Sequence, residues 1–394
     1  MIMNKQSDKL QEKSRTEGIR VFTLIDFIFM DRIPDLILPY QTIHDCLIPA
    51  DGDMLYNTSG EPIRASLHLR GYDTTIHGPA NWDLLPINKN KKTHNLRSVV
   101  FIPFLEFEHL GHFLTESVSW LAALLDPVLD HFIRTETNPT ILLGKDAAHC
   151  RNDLAIFLDI NVEKILCTGS LSDLTYIKTV FLPERTMVNK CYISVHHFSA
   201  VQQIMKKKFG LDITFPPSDL KNEQDKPESE KIYLSRTQLP PHKRHILGEK
   251  QIETHLSSSG WRIIYPEQLK ISEQIEILHK ATVIAGSTGS AFHLLMYLGL
   301  DISSKCVITL GSKSEILENF GPNNVFAQLK AQHIQVYHVA AYSEPSTISK
   351  GSGVGRRCLD LEIMYRPEYV AKTVESIASA FLMQEYNAGS KVSS

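Results

Sequence analysis

Long apolar runs are absent from this sequence of 394 residues. A membrane-spanning helix needs roughly 18 to 20 uninterrupted apolar residues, whereas the two most apolar stretches, residues 21–39 and 99–114, both carry acidic side chains. Residues 1–15 are polar and lack the apolar centre of a secretory signal. We therefore expect a cytoplasmic protein whose apolar stretches form buried strands or helices.

Cysteine is scarce, and charge of neither sign prevails. The six cysteines lie far apart without a C-x-x-C pair, which argues against a zinc knuckle or a disulfide framework. The 41 Lys and Arg residues nearly balance the 44 Asp and Glu residues, leaving a formal charge of -3. This balance gives no general reason to expect binding to nucleic acid or to an acidic membrane, so any anion site must be local.

The length exceeds what one hydrophobic core usually serves, because cores stop growing at roughly 250 to 300 residues. Composition changes most sharply at residues 215–231, where two prolines precede a charged run, as is typical of an interdomain linker. We predict four segments: an N-terminal lobe over residues 1–215, a linker over 216–231, a C-terminal lobe over 232–365, and a C-terminal helix and tail over 366–394.

Beyond the linker, apolar strands and helices alternate regularly. Strands are predicted at residues 232–235, 261–265, 282–286, 305–310 and 334–339, with helices between them. Such alternation predicts right-handed crossovers and a parallel, doubly wound α/β sheet. The N-terminal lobe shows the pattern less regularly, with strands predicted at 99–104, 140–143, 164–167 and 176–182. The helix predicted at 366–386 is amphipathic, needs a surface to cover, and could cross back onto the N-terminal lobe.

A glycine turn at the carboxyl end of a predicted strand is the first candidate for chemistry. It reads Gly286-Ser287-Thr288-Gly289-Ser290 and opens a helix. Ligands bind at this edge of a parallel sheet, and the free amides of a helix N-terminus, here those of residues 290–292, suit phosphate. The turn matches neither a Walker loop nor a complete dinucleotide fingerprint. An ordinary tight turn is an equally good interpretation of this segment alone.

Two arginines are predicted at the same edge of that sheet. Arg236 directly follows the strand at 232–235, and Arg244 precedes the next helix. Guanidinium groups bind diphosphate oxygens bidentately, so together they would neutralise a nucleotide leaving group without a metal. Solvated surface arginines are the alternative. The D-x-D spacing of Asp51 and Asp53, which holds a metal in some sugar transferases, is interpreted here as a turn, and no metal site is predicted.

A histidine and a glutamate follow the predicted strand at 99–104. His112 and Glu116 are four residues apart, which places imidazole and carboxylate on one helix face. Each could orient the other, as a general base for a hydroxyl group requires. A packed core histidine beside a surface glutamate is the alternative.

Several segments, in order along the chain, resemble glycosyltransferase family 61. They are GHFLTE at 111–116, IYLSR at 232–236, KRHILGEKQIETHL at 243–256, PEQLKISEQIEILHKATVIAGSTGSAFHLLMYL at 266–298 and NNVFAQLKA at 323–331. The resemblance implies a GT-B architecture, in which two Rossmann-like lobes face a cleft, with acceptor on the N-terminal side and nucleotide sugar on the C-terminal side. It implies an inverting hexosyl-, N-acetylhexosaminyl- or pentosyltransferase that takes a UDP-linked donor. No metal or other cofactor is expected.

The resemblance also carries roles onto particular residues. Arg236 would contact the diphosphate, and Arg244 and Glu249 match an Arg and a Glu of the following family segment. Gly286 and Gly289 match the glycine turn, and His112 and Glu116 match the pair in the first lobe. The family turn usually reads Gly-x-His-Gly-Ala-Gly. In this chain Thr288 stands at the place of the His, Ser290 and Ala291 replace the final Ala-Gly, and His293 lies one turn further on. A different donor, or His293 replacing the family histidine, are both open.

The expected reaction is sugar transfer onto a glycan or lipid-linked acceptor in capsule or lipopolysaccharide assembly. Glu116, or His112 oriented by it, would remove the acceptor proton. Two alternatives remain: a transferase of the same architecture that moves a pyruvyl or other group onto a glycan, and a noncatalytic glycan-binding subunit. The expected partners are a nucleotide sugar and an acceptor, with peripheral contact at the inner membrane or an assembly complex.

Overall fold

The computed structural model describes eleven stretches of the chain: residues 20–23, 40–66, 94–171, 174–188, 192–211, 230–240, 246–300, 302–312, 324–342, 362–363 and 366–392. The chain divides into two compact units. The N-terminal unit comprises residues 30–211, and the C-terminal unit comprises residues 212–394 together with residues 1–29.

The strands and helices have the following bounds. The strands are β1 (Arg20–Thr23), β2 (Tyr40–Ile48), β3 (Tyr56–Asn57), β4 (His94–Ile102), β5 (Ile141–Leu143), β6 (Ile165–Cys167), β7 (Thr175–Pro183), β8 (Met187–Val188), β9 (Tyr192–Ile193), β10 (Lys231–Leu234), β11 (Ile246–Leu247), β12 (Arg262–Ile264), β13 (Val283–Ser287), β14 (Cys306–Ser312), β15 (Gln335–Tyr342) and β16 (Glu362–Ile363). The helices are α1 (Leu110–His112), α2 (Val118–Leu121), α3 (Pro127–Thr135), α4 (Arg151–Leu158), α5 (Val195–Phe209), α6 (Glu249–Ser258), α7 (Ile271–Lys280), α8 (Asn324–Ala331) and α9 (Pro367–Val392). A π-helical turn, Phe113–Ser117, joins α1 to α2, and Ser290–Leu298 is a 3₁₀ helix.

The N-terminal unit contains a six-stranded sheet in the order β3-β2-β7-β4-β5-β6. Strands β7, β4, β5 and β6 are parallel, and β2 pairs antiparallel with β7 and with β3. All three residues of β5 are buried, as expected for a parallel strand covered on both faces. The chain runs outward from β4 to β6 and then returns past β4 to β7. The order therefore reverses beside β4, which is where doubly wound sheets bind ligands.

The C-terminal unit contains a second six-stranded sheet in the order β1-β15-β14-β13-β10-β12. The five strands from β10 to β15 in this sheet are parallel, and β1 pairs antiparallel with β15. The chain passes from β10 to β12 and then returns past β10 to β13. The reversal therefore lies between β10 and β13, and the segments that leave strands beside such a reversal are where doubly wound sheets usually bind ligands.

Helix α9 covers the sheet of its own unit. Its buried residues Val370, Val374, Ile377 and Phe381 belong to the same core cluster as Val283 and other strand residues of the C-terminal unit. The predicted amphipathic face is confirmed, and its apolar residues pack in the core of the C-terminal unit. Within the described parts of the chain, no helix combines the length and apolarity needed to cross a membrane.

The mixed α/β character and the largely parallel sheets predicted from the sequence are confirmed. The structure differs at the N-terminus, because β1 pairs with β15 although residues 1–215 were predicted to form one lobe. It differs again between the strands predicted at 232–235 and 261–265, where only a helix was expected but residues 246 and 247 form β11, which pairs with β16. Gly248, with φ 92°, then starts the helix at Glu249. The predicted linker lies mostly outside the described residues, as does the Arg244 segment.

Candidate active site

The segment that leaves β10 presents an arginine at the carboxyl edge of the C-terminal sheet, beside the reversal of the strand order. The Ser235 N–H donates to the Ile264 carbonyl of β12, which continues the strand pairing by one residue. Arg236 follows, and its N–H donates to Glu249 Oε1 at 3.2 Å. Its guanidinium reaches the turn after β13, where a Cβ at Gly289 would lie 2.9 Å from Arg236 Nη1. The structure therefore brings together two of the residues predicted to bind the donor.

The glycine turn after β13 is held by main-chain contacts on both sides. A Cβ at Gly286 would lie 2.9 Å from the Leu234 carbonyl oxygen, so glycine lets β13 approach β10 closely. The Ser287 hydroxyl is hydrogen-bonded to the Tyr342 hydroxyl. The Thr288 N–H and hydroxyl both donate to the Leu310 carbonyl, at 2.9 and 3.2 Å. The Thr288 side chain is thus hydrogen-bonded to β14.

The helix that follows the turn differs from the predicted α-helix. Ser290–Leu298 is a 3₁₀ helix, and the Phe292 N–H, predicted to face an anion, donates to the Gly289 carbonyl at 3.2 Å. His293 is buried, and its Nδ1 lies 2.8 Å from Gln328 Oε1 on α8. Gln328 Nε2 in turn donates to the Phe292 carbonyl at 2.8 Å. This network places His293 where it joins the 3₁₀ helix to α8.

Glu249 is a fully buried carboxyl group at the first position of α6. Its Oε1 accepts from the Tyr233 hydroxyl at 3.1 Å and from the Arg236 N–H. Its Oε2 has no hydrogen-bond partner among the described residues. Burial raises the pKa of Glu249 to about 7, although the hydrogen bonds and the positive charge of Arg236 act in the opposite direction. The carboxyl group therefore titrates near neutral pH.

The N-terminal unit places His112 and Glu116 in direct contact. His112 Nδ1 lies 2.9 Å from Glu116 Oε2, and the two side chains are 40% and 2% exposed. Since the carboxylate accepts at Nδ1, the proton of a neutral imidazole lies there and Nε2 is the basic atom. Within the described residues, Nε2 makes no hydrogen bond. An exposed imidazole oriented by a buried carboxylate is suited to act as a general base.

The local backbone explains how this pair forms. Glu116 lies in the π-helical turn, in which the Val118 N–H donates to the Phe113 carbonyl. Turns of this kind occur frequently at functional sites. His197 on α5 supports the turn, because its Nε2 lies 3.0 Å from the Leu114 carbonyl oxygen. The i, i+4 spacing predicted the contact between the two side chains, but no local sequence signal indicated the π turn or the support from His197.

His109 is a neighbour of this pair that the sequence reasoning missed. Its Nδ1 accepts from the His112 N–H at 3.4 Å, and the two imidazole rings lie 4.7 Å apart. Glu106 accepts the N–H groups of Glu108 and His109 at 2.8 and 3.2 Å. The clustering of acidic residues and histidines from 106 to 116 was the available signal.

The comparison with known families decides the class of the protein. A family model described as Glycosyltransferase 61 matches residues 110–307, just over half of the chain. The chain belongs to glycosyltransferase family 61. The matched region of this glycosyltransferase begins at α1 and ends in β14, so it contains the His112–Glu116 pair, Arg236 and the glycine turn. Membership implies a nucleotide-sugar donor and a glycan acceptor. No curated protein matches the chain.

The remaining candidate residues of the glycosyltransferase are the two aspartates of the D-x-D spacing and Arg244. Asp51 adopts a left-handed conformation, with φ 55°. Asp53 Oδ1 accepts the Asp146 N–H at 3.1 Å, and burial raises the pKa of Asp53. Asp51 therefore lies in a turn, as predicted, whereas the Asp53 carboxylate holds the distant main chain at Asp146. Among the described residues, no three His, Cys, Asp or Glu side chains are grouped so as to hold a metal ion. Arg244 lies outside the described residues.

Proposed function

We propose that the protein is an inverting glycosyltransferase that moves a sugar from a UDP-linked donor to a glycan or lipid-linked acceptor in surface polysaccharide biosynthesis. The observation that carries the proposal is the hydrogen bond between His112 Nδ1 and Glu116 Oε2, with the imidazole exposed and the carboxylate buried. Inversion by direct displacement requires one base for the acceptor hydroxyl and no covalent enzyme intermediate. This pair supplies such a base within the region that matches the family.

His112 is the base in this mechanism, and Glu116 orients it. The acceptor oxygen attacks the anomeric carbon and gives its proton to His112 Nε2. The bond between the anomeric carbon and the diphosphate oxygen breaks, and its electron pair leaves with the diphosphate. Imidazolium forms, and Glu116 stabilises it through Nδ1 at 2.9 Å. Glu116 itself is 2% exposed, so it meets the acceptor less readily than the imidazole does.

Arg236 and the glycine turn bind the departing diphosphate. The support for this role is their shared position at the reversal between β10 and β13 and the approach of the guanidinium to Gly289. Preorganised donors that meet developing negative charge are usually the largest single contribution to catalysis. A GT-B arrangement would assign donor binding to the C-terminal unit and acceptor activation to the N-terminal unit.

A donor panel tests the proposed reaction. Nucleotide release is measured with UDP-, GDP- and dTDP-linked sugars in the presence of a glycan acceptor extract. We expect release from a UDP-sugar and a product whose anomeric configuration is opposite to that of the donor. Retention of configuration, or release from none of these donors, would contradict the proposal.

The roles within the pair are tested by substitution. His112→Ala should lower kcat by about 100-fold or more, since general-base catalysis contributes roughly two to four orders of magnitude. Glu116→Gln should cost less, because the amide oxygen still accepts from Nδ1. Exposed His131 of the same unit provides the control His131→Gln, which should leave kcat unchanged. A larger loss for Glu116→Gln than for His112→Ala would assign the base to Glu116.

A further inference from the structure

The turn that carries Arg236 is anchored by a second glutamate, Glu253, one helical turn beyond Glu249 on α6. Glu253 Oε1 accepts hydrogen bonds from the hydroxyl groups of Ser235 and Thr237. These two residues flank Arg236 in the chain. One oxygen atom therefore fixes both neighbours of the arginine.

The other oxygen of Glu253 is also engaged. Oε2 accepts from Lys250 Nζ at 2.6 Å and from the Tyr265 hydroxyl at 3.2 Å. The Glu253 side chain is only 4% exposed. Burial acts to raise its pKa, but the hydrogen bonds from Lys250, Ser235 and Thr237 outweigh burial and lower the pKa overall. Four donors thus converge on an ionised, buried carboxylate.

The two glutamates of α6 contact different members of the segment 235–237, Glu253 the two flanking hydroxyl groups and Glu249 the central N–H. Glu249 Oε1 accepts the Arg236 N–H at 3.2 Å, and the Thr237 N–H donates to Ser235 Oγ at 3.0 Å. All three residues from 235 to 237 are consequently held by α6. Because the Arg236 guanidinium reaches Gly289 from this backbone, its position depends on where the turn is held.

We propose that Glu253 is a positioning residue that aims Arg236 at the diphosphate by fixing Ser235 and Thr237. The inference rests on the proposed function, in which Arg236 binds the diphosphate of the donor. It adds a residue that touches no substrate and acts through the arginine alone. Loss of the carboxylate should therefore weaken nucleotide binding only when Arg236 is present.

The test is a double-mutant cycle on UDP binding, measured by calorimetry with the full chain. Glu253→Gln should weaken UDP binding about tenfold. The glutamine side chain has only one accepting oxygen, so its NH2 group must face either the two hydroxyl donors or the Lys250 ammonium, and one set of hydrogen bonds is lost. In an Arg236→Ala background the same substitution should cause no further loss, since coupled residues are not additive. Glu375→Gln is the matched control. Glu375 accepts from Lys231 Nζ at 2.9 Å and from Trp261 in the same unit, and its substitution should leave UDP binding unchanged.

Two results would overturn the inference while leaving the proposed function intact. Glu253→Gln could bind UDP as the parent protein does, or it could lose the same factor with and without Arg236, which would indicate a structural role. If Glu253→Gln does not fold, Ser235→Ala combined with Thr237→Val removes the same two hydroxyl donors and should give the same cycle. A parent protein that does not bind UDP would refute the proposed donor, and the inference with it.

Discussion

Gly286 and Gly289 belong to one turn but have different neighbours. A Cβ at Gly286 would meet the Leu234 main-chain oxygen at 2.9 Å and its Cβ at 3.0 Å. A Cβ at Gly289 would meet only the end of the flexible Arg236 side chain within 3 Å, and its φ of 175° is extended backbone that any residue adopts. The first glycine is required by packing of the sheet, and the second leaves room for a guanidinium.

Alanine at the first position should therefore affect stability, and alanine at the second should affect nucleotide binding. Gly286→Ala should lower the free energy of unfolding by about 1 to 3 kcal/mol, the usual cost of overpacking. Gly289→Ala should leave that free energy nearly unchanged but displace Arg236 and weaken UDP binding about tenfold. Denaturant unfolding and calorimetry on both variants provide the check. Equal loss of stability in both would contradict this distinction.

Glu249 makes stability depend on pH. Burial raises its pKa from 4.5 to about 7, so the folded state holds a proton that the unfolded state releases between these values. The stability of the folded state consequently falls as pH rises through this window and levels off above about 7.

Glu249→Gln removes this dependence. The free energy of unfolding of the variant, relative to that of the parent, should rise by about 2 kcal/mol from pH 5 to pH 8, the amount expected for a pKa shift of this size over that interval. The measurement is the difference in free energy of unfolding between the two proteins at each pH. A difference that is constant across the interval would show that the carboxyl group keeps its ordinary pKa in the folded state.

At the scale of helices and strands, the apolar pattern predicted most of the C-terminal unit. The strands predicted at 232–235 and 282–286 are observed as Lys231–Leu234 and Val283–Ser287, because buried parallel strands are continuous apolar runs. The pattern failed where pairing is decided by distant residues. The four-residue strand β1 pairs with β15, more than 300 positions away in the sequence. Likewise, no local sequence pattern predicts that Ser290–Leu298 forms a 3₁₀ helix and not an α-helix.

The candidate site was predictable only where its contacts follow from local sequence patterns. Spacing alone paired His112 with Glu116, since helical neighbours four residues apart meet. Position after a strand brought Arg236 to the edge that also carries Gly289. The supporting roles of Glu253 and His197 depend on contacts between separate elements, which periodicity does not encode.

Helix α9 offers a test of packing at this scale. Ile377 is fully buried in the core of the C-terminal unit, whereas Met383 on the same helix is 64% exposed. Ile377→Ala should destabilise the unit by about 2 to 5 kcal/mol, and Met383→Ala should change little. The unfolding temperature of the unit, followed by calorimetry, measures both. Similar small effects would mean that α9 contributes little to this core.

At the scale of the whole molecule, the candidate residues are divided between the two units. The proposed base lies in the N-terminal unit, and the proposed diphosphate contacts lie in the C-terminal unit. The family match extends across both, from residue 110 to residue 307. Binding of nucleotide and turnover should therefore respond to different substitutions.

UDP titration into the parent, His112→Ala and Arg236→Ala proteins tests the central claim most directly. The account predicts that the parent and His112→Ala bind UDP with the same affinity, although the latter transfers sugar at least about 100-fold more slowly. Arg236→Ala should bind UDP about tenfold more weakly, because a charge-assisted contact with the diphosphate is lost. A parent that does not bind UDP, or an Arg236→Ala protein that binds it unchanged, would contradict the account.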